Sequence, residues 1–220
     1  MDTSLPLFLT KENKIVSGLI MFGTAIVLYL VANHFHLSSP QLLPMSWVDE
    51  QIPFLPNTVW IYISEYVFFT VIYLLSKDMI NLNKYLYSFL SLQVVSVLIF
   101  WAWPTTYPRE QFPLPTDLNA LTAYAFNTLR QADSPASCCP SLHVSSVFLS
   151  AFLFLDEQRK KFPFFLVWGT LIAASTLTTK QHYLVDVFAG LAMSGVTYYI
   201  FHRWISYRPL TFGSKLQANQ

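Results

Sequence analysis

Six long stretches of apolar residues dominate this sequence, and each is long enough, or nearly so, to cross a lipid bilayer as a helix. A helix needs about 20 mostly apolar residues to span a hydrocarbon core of about 30 Å. The composition agrees, because only 11% of the residues are charged, against about 25% in a soluble domain. We therefore predict an all-α polytopic membrane protein whose six transmembrane helices lie at roughly 15–33, 58–76, 84–103, 141–155, 163–179 and 183–202.

The six spans are expected to form a single membrane domain over residues 1–210, and the tail at 211–220 is expected to be disordered. The fourth stretch is short and begins with Ser and His. It fits a membrane only if its first turn faces protein or a water-filled cavity. The net charge of +1 leaves no basic excess of the kind that nucleic-acid binding needs.

The distribution of basic residues predicts the orientation. With the amino terminus in the cytoplasm, ten Lys and Arg residues fall on the inner side and three, Arg109, Arg130 and Lys180, fall on the outer side. Both termini are therefore expected to be cytoplasmic. The sequence has no Asn-x-Ser/Thr glycosylation signal. This suits a bacterial inner membrane, with the outer segments in the periplasm.

Three short motifs lie at the predicted outer surface and contain most of the reactive side chains. They are Pro104-Thr-Thr-Tyr-Pro-Arg109, Cys139-Pro-Ser-Leu-His143 and Lys180-Gln-His-Tyr-Leu-Val-Asp186. All three outer basic residues lie in these motifs or in the loop that joins the first two. We therefore expect the motifs, all within 104–190, to form one site.

The third motif offers a histidine and a carboxylate at helical spacing. His182 and Asp186 are four residues apart, so on a helix they share one face. A carboxylate there holds one imidazole nitrogen and leaves the other free to attack an electrophile. The alternative is a buried structural pair in which His182 and Asp186 hydrogen-bond to each other and have no catalytic role. Ionisable residues inside membranes are costly and usually functional, which favours the catalytic interpretation.

The second motif places His143 in the first turn of the fourth span, after Pro140 and Ser141. A helix amino terminus presents free N–H groups and the positive end of the helix dipole, so it attracts anions. A histidine in that turn is suited to donate a proton to a leaving oxygen. Pro-Ser-x-His alone is a weak motif, but together with His-x-x-x-Asp it becomes specific.

These two motifs resemble those of the type 2 phosphatidic acid phosphatase superfamily, membrane enzymes with a six-helix core. The resemblance covers about 104–190 and implies a phosphohistidine intermediate. By position it makes His182 the nucleophile, His143 the general acid and Asp186 the residue that orients His182. It implies a membrane lipid as substrate, no metal and no cofactor.

The chain departs from the family pattern at two phosphate-binding cations. Ala102 stands where the family has a lysine, and Thr176 stands where it has an arginine. Arg109, Lys180, Arg130 and Ser141 are the candidate substitutes. The forms Pro-Ser-Leu-His and His-Tyr-x-x-Asp look closer to the lipid phosphotransferase branch, which includes inositol phosphorylceramide synthases. Hydrolysis and head-group transfer both remain open, as does a non-catalytic lipid-binding or scaffold protein, or more weakly a transporter.

The remaining polar residues are given supporting roles. Glu65 and Tyr107 are candidates for second-layer contacts. Glu65 is expected either to support Lys180 or Arg109 or to be a capped or protonated structural residue. Gln93 is expected to make a hydrogen bond between helices, and Asp133 to be a solvated loop charge. The adjacent Cys138 and Cys139 are expected to pack rather than to react. The sequence does not name the lipid or the oligomeric state.

Overall fold

The computed structural model describes residues 4–209, so the predicted disordered tail at 211–220 lies outside the described residues. Most of the described chain is helical. The helices are α1 (Lys14–His34), α2 (Trp47–Gln51), α3 (Val59–Ile63), α4 (Glu65–Leu75), α5 (Met79–Ala102), α6 (Ala120–Ala132), α7 (Leu142–Glu157), α8 (Phe162–Thr178) and α9 (Leu184–Tyr199). A π-helical turn, Ile200–Trp204, follows α9. Four short strands are β1 (Ser4–Leu7), β2 (Gln41–Leu42), β3 (Thr105–Thr106) and β4 (Ser206–Pro209).

Within residues 4–209, four helical segments are long and apolar enough to cross a membrane. They are Lys14–His34, Pro56–Leu75, Met79–Ala102 and Leu184–Trp204. Their length and composition confirm the predicted helical membrane character. The other two predicted spans are shorter. Helix α7 has 16 residues and α8 has 17, or about 24 and 26 Å at about 1.5 Å per residue. The count of six spans therefore stays a prediction.

Helix α5 begins earlier than the predicted third span. The Asp78 carboxylate accepts hydrogen bonds from the N–H groups of Ile80 (2.9 Å) and Asn81 (3.2 Å), and so caps the helix. The loop between α5 and α7 also contains a helix, α6, that was not predicted. The Asn119 side chain caps α6, and Phe126, on the inward face of α6, is fully buried. Loop helices of this kind have too few apolar residues to show as spans.

Each end of the helix bundle has a short parallel strand pair. Strands β1 and β4 pair beside the start of α1 and the end of α9, and we call this the terminal end. Strands β2 and β3 pair at the opposite end, which we call the site end. Thr105 also pairs with Ser137 there, and its hydroxyl accepts a hydrogen bond from the Cys139 N–H at 2.8 Å. These bonds bring the first two motifs together.

Helix α7 is the most enclosed helix, with most of its side chains buried against its neighbours. Its first turn lies against α9 at Gly190, where an added Cβ would be 2.6 Å from the Ser141 carbonyl oxygen. The Ser141 N–H also donates to the Asp186 carbonyl at 3.0 Å. The missing side chain at Gly190 therefore lets the second and third motifs meet.

Candidate active site

The turn between α8 and α9 positions His182. Lys180 adopts a positive φ of 53°, and the N–H groups of Gln181 and His182 both donate to the Thr176 carbonyl, at 2.9 and 3.2 Å. This folds the chain sharply back before α9 begins. His182 is thereby fixed at the end of the turn, 6% exposed and facing the bundle.

His182 and Asp186 make the contact that their spacing predicts. His182 Nδ1 lies 3.3 Å from Asp186 Oδ2, and the same oxygen accepts the Tyr183 N–H at 2.9 Å. Asp186 is fully buried in the first turn of α9. In the tautomer that this bond selects, Nδ1 has the proton and Nε2 has a free lone pair. That nitrogen is the one available for attack.

His143 is held by a second carboxylate that the sequence did not assign to it. Its Nε2 lies 3.1 Å from Glu65 Oε1 and 2.6 Å from the Tyr62 hydroxyl. The expectation that Glu65 supports Lys180 or Arg109 is wrong. Glu65 is the first residue of α4, and α4 packs against α7, the helix that contains His143. Lys180 and Arg109 have other partners, Asp49 and Asp133.

The two imidazoles face each other across a small cavity. Their ring centroids are 5.8 Å apart and the rings are inclined by 58°. The cavity has a volume of about 10 Å³, and its walls include Tyr29, Arg109 and Gln181 as well as both histidines. A cavity of this size holds about one water molecule. A phosphoryl group enters only if some of these side chains move.

Arg109 lines this cavity, but it forms an ion pair with the Asp133 carboxylate. Its Nη2 lies 2.8 Å from Asp133 Oδ2 and 2.9 Å from Gln181 Oε1, and its Nε donates to the Tyr107 hydroxyl at 2.9 Å. Burial lowers the pKa of Arg109, but Tyr107 and Asp133 raise it by more, so the guanidinium stays charged. The Tyr107 hydroxyl in turn donates to Gln181 at 3.0 Å.

Asp133 is not the solvated loop charge that we expected. Its side chain is 14% exposed. Besides Arg109 it accepts hydrogen bonds from the Asn33 amide, at 3.0 Å, and from the Tyr29 hydroxyl. Both residues belong to α1, a hundred residues earlier in the chain, so no local sequence signal could reveal this pairing.

The structure does not bring Lys180 or Arg130 to the cavity. Lys180 Nζ donates to the Asp49 carbonyl at 2.9 Å, and burial lowers its pKa. Arg130 donates to the Phe112 carbonyl at 2.8 Å. Ser141 caps α7, since its hydroxyl accepts the Val144 N–H at 3.3 Å. These three predicted phosphate contacts have other partners.

The sequence model of the PAP2 superfamily, the type 2 phosphatidic acid phosphatases, matches residues 25–200. The chain belongs to this superfamily. No curated protein matches the sequence. Members of the PAP2 superfamily are generally phosphatases, which supports an enzymatic role. The match extends well beyond the motifs and includes the second half of α1 as well as all of α4 and α5.

The two positions where this PAP2 chain lacks a family cation have local roles. Ala102 ends α5. Thr176 donates its hydroxyl to the Ala173 carbonyl at 2.7 Å, and its own carbonyl holds the His182 turn. Neither supplies charge. Arg109 is therefore the one guanidinium or ammonium group among residues 4–209 that lines the cavity.

Proposed function

We propose that this protein transfers a phosphoryl group from a membrane lipid through a phosphohistidine at His182. The facing pair of histidines, each held by a carboxylate, is the observation that supports this proposal. Asp186 holds Nδ1 of His182, and Glu65 holds Nε2 of His143. A nucleophile and an acid are thereby oriented from opposite walls toward one small cavity.

In this mechanism His182 Nε2 attacks phosphorus while the bond from phosphorus to the lipid alcohol breaks. His143 gives its proton to the departing alcohol oxygen, and Glu65 stabilises the orientation of His143 through that exchange. Asp186 stabilises the positive charge that develops on His182, as a buried carboxylate does in other triads. Water or a second alcohol then gives a proton to His143 and attacks phosphorus, which releases His182.

The charges around the cavity favour a phosphodiester over a phosphomonoester. A monoester has close to two negative charges, whereas a diester has one. Arg109 is already paired with Asp133, and no second Lys or Arg of the described chain lines the cavity. A single, partly compensated cation is enough for a monoanion. Head-group transfer between lipids, as in the phosphotransferase branch, is therefore our preferred form of the reaction, and hydrolysis is the alternative.

The proposal includes six spans, cytoplasmic termini and a periplasmic site. No group of three or more His, Cys, Asp or Glu side chains within 4–209 is arranged to hold a metal ion. The mechanism uses histidines and one arginine, and we propose that it needs no metal.

The test is to incubate purified protein with a panel of lipid phosphates and phosphodiesters. Free phosphate or free head group reports hydrolysis, and a new lipid phosphodiester reports transfer. The control is His182→Ala, which removes the nucleophile from the turn between α8 and α9. Product formation that is equal in the two proteins would exclude the proposed mechanism. A protein that binds these lipids but changes none of them would be a lipid-binding relative.

A further inference from the structure

A second, much larger cavity adjoins the catalytic one inside the helix bundle. It has a volume of about 440 Å³, within the range of about 300–1,000 Å³ that is usual for ligand sites. Tyr29, Asp133, Leu142 and His143 line both cavities, so the two share a wall. Apolar side chains form most of the remaining surface, among them Phe22, Phe69 and Phe89.

This cavity lies between α1 and α4, which diverge toward the site end. At the terminal end the two helices touch. An added Cβ at Gly18 would be 2.5 Å from the Tyr73 ring, and the Tyr73 hydroxyl donates to the Lys14 carbonyl at 2.7 Å. Toward the site end the space between them is unfilled. Leu19, Ile26 and Tyr66 line it, with exposed fractions of 71%, 55% and 59%. Such exposed apolar walls within membrane-spanning helices leave the cavity open to the bilayer.

The polar end of this cavity has an acceptor without a donor. Glu65 is 3% exposed and lines the cavity. Its Oε1 lies beside His143 Nε2, but its Oε2 is buried with no hydrogen-bond partner among the described residues. An unpaired buried carboxylate oxygen is costly, so such an atom calls for a donor. A hydroxyl group is the donor that fits between an apolar cavity and a proton-transferring histidine.

We propose that this cavity binds a lipid alcohol, which enters from the bilayer between α1 and α4. Its hydrocarbon chain lies along the apolar walls, and its hydroxyl donates to Glu65 Oε2 beside His143. The bound species is the alcohol half of the substrate, which leaves phosphorus in the first step and attacks it in a transfer. In the attack, the alcohol proton passes to His143, the oxygen bonds to phosphorus, and the bond from phosphorus to His182 breaks. The inference rests on the proposed function for this chemistry, but the binding itself is tested separately.

Binding is read with a photoreactive diacylglycerol and a photoreactive ceramide, each with a diazirine in its acyl chain. The variant is Ala25→Phe, which places a large ring inside the cavity from α1. Its matched control is Gly23→Phe on the same helix, where an added Cβ meets nothing within 4 Å. The ring and the acyl chain of the probe would compete for the same space. Forcing both into it should weaken binding by about the cost of overpacking a core, about 1–3 kcal/mol, so we expect labelling to fall roughly 5- to 150-fold. The two probes show which lipid alcohol binds better.

We expect crosslinked peptides from the wild type and from Gly23→Phe to include cavity residues of α1 or α4. Equal labelling of Ala25→Phe, or labelling only at outward residues such as Val27, would overturn the proposal. If Ala25→Phe does not fold, Thr70→Phe fills the cavity from α4 and is judged in the same way. Labelling in the cavity without turnover of any lipid would retain the binding site and reject the proposed function.

The role of Glu65 is read by comparing each probe with its O-methyl ether, which cannot donate a hydrogen bond. A hydrogen bond to a charged group contributes about 1.5–3 kcal/mol, so we expect the ether to label roughly 10- to 150-fold less. In Glu65→Gln this difference should shrink markedly. If the ratio of alcohol labelling to ether labelling is the same in the wild type and in Glu65→Gln, the hydroxyl does not bind at Glu65.

Discussion

The close approach of α7 and α9 predicts that one added methyl group will uncouple the two histidines. In Gly190→Ala the new Cβ would lie 2.6 Å from the Ser141 carbonyl oxygen, 3.2 Å from Val144 Cβ and 3.3 Å from the Ser145 N–H nitrogen. The first contact is with backbone, which cannot rotate away. The helices must therefore separate by several tenths of an ångström, and the first turn of α7 moves relative to Asp186.

The substitution has two opposing effects on stability. Alanine favours the helix by about 0.8–1.0 kcal/mol relative to glycine, whereas overpacking costs about 1–3 kcal/mol. The net change in stability is small to moderate, and the protein should still fold. Activity should suffer more, because a misplacement of about 1 Å costs about 10²-fold. A shift of several tenths of an ångström then costs roughly tenfold.

The assay measures kcat for lipid turnover together with thermal unfolding in detergent. Gly195→Ala is the matched control, because it lies on the same helix and its added Cβ meets nothing within 4 Å. It should gain the helix-propensity benefit and keep full activity. If Gly190→Ala is as active as Gly195→Ala, the tight packing at Ser141 does not position the histidines and the reasoning fails.

Three further predictions concern charge, metal and topology. Asp133→Asn should raise the rate with phosphomonoesters relative to phosphodiesters by roughly tenfold, the effect of about 1.4 kcal/mol; an unchanged ratio would exclude a role in charge selection. Activity should survive excess chelator, and its loss with rescue by a divalent ion would count against the metal-free mechanism. Burial raises the pKa of Cys139 to about 12 and also raises the pKa of Cys138, so both should resist maleimide at pH of about 8. Against that silent background Ala120→Cys should label in intact cells and Gln158→Cys should not; the reverse pattern would place the site in the cytoplasm.

Local spacing was enough to predict the contacts within one helix turn. His182 and Asp186 meet as their spacing of four residues predicts, although His182 lies just before α9 and not within it. The Asp186 carboxylate reaches back over the first turn of α9, where it accepts the Tyr183 N–H and also contacts His182. The expected hydrogen bond between helices at Gln93 is also present, since its amide donates to Ser146 Oγ at 3.0 Å. A polar residue inside an apolar span has few alternatives to such a bond.

Contacts between distant segments could not be predicted in the same way. Glu65 lies beside His143 because α4 packs on α7, and Asp133 meets Asn33 because the loop between α5 and α7 folds back to α1. One sequence shows which residues are ionisable but not which helices become neighbours. For Lys180 the sequence suggested a contact that the structure does not show. Its position next to Gln181 and His182 suggested that it would bind phosphate. Its positive φ turns the side chain toward Asp49 instead.

The spans show where length alone was insufficient. Helix α7 is short but enclosed by protein, so its polar first turn is shielded from lipid. Its hydroxyl and histidine side chains are accommodated only because α9 and α4 cover them. The apolar pattern marked the segment as buried, and its polar first turn predicted that protein or a water-filled cavity would cover that end.

The most direct test of the mechanism is to trap the covalent intermediate with a radiolabelled substrate that has a good leaving group. Such a group departs without protonation, so the contribution of a general acid, about 10²–10⁴-fold, is largely bypassed. The mechanism predicts label on the wild type and on His143→Ala, and none on His182→Ala. Label that is retained on His182→Ala and lost from His143→Ala would show that the two histidines have the reverse roles.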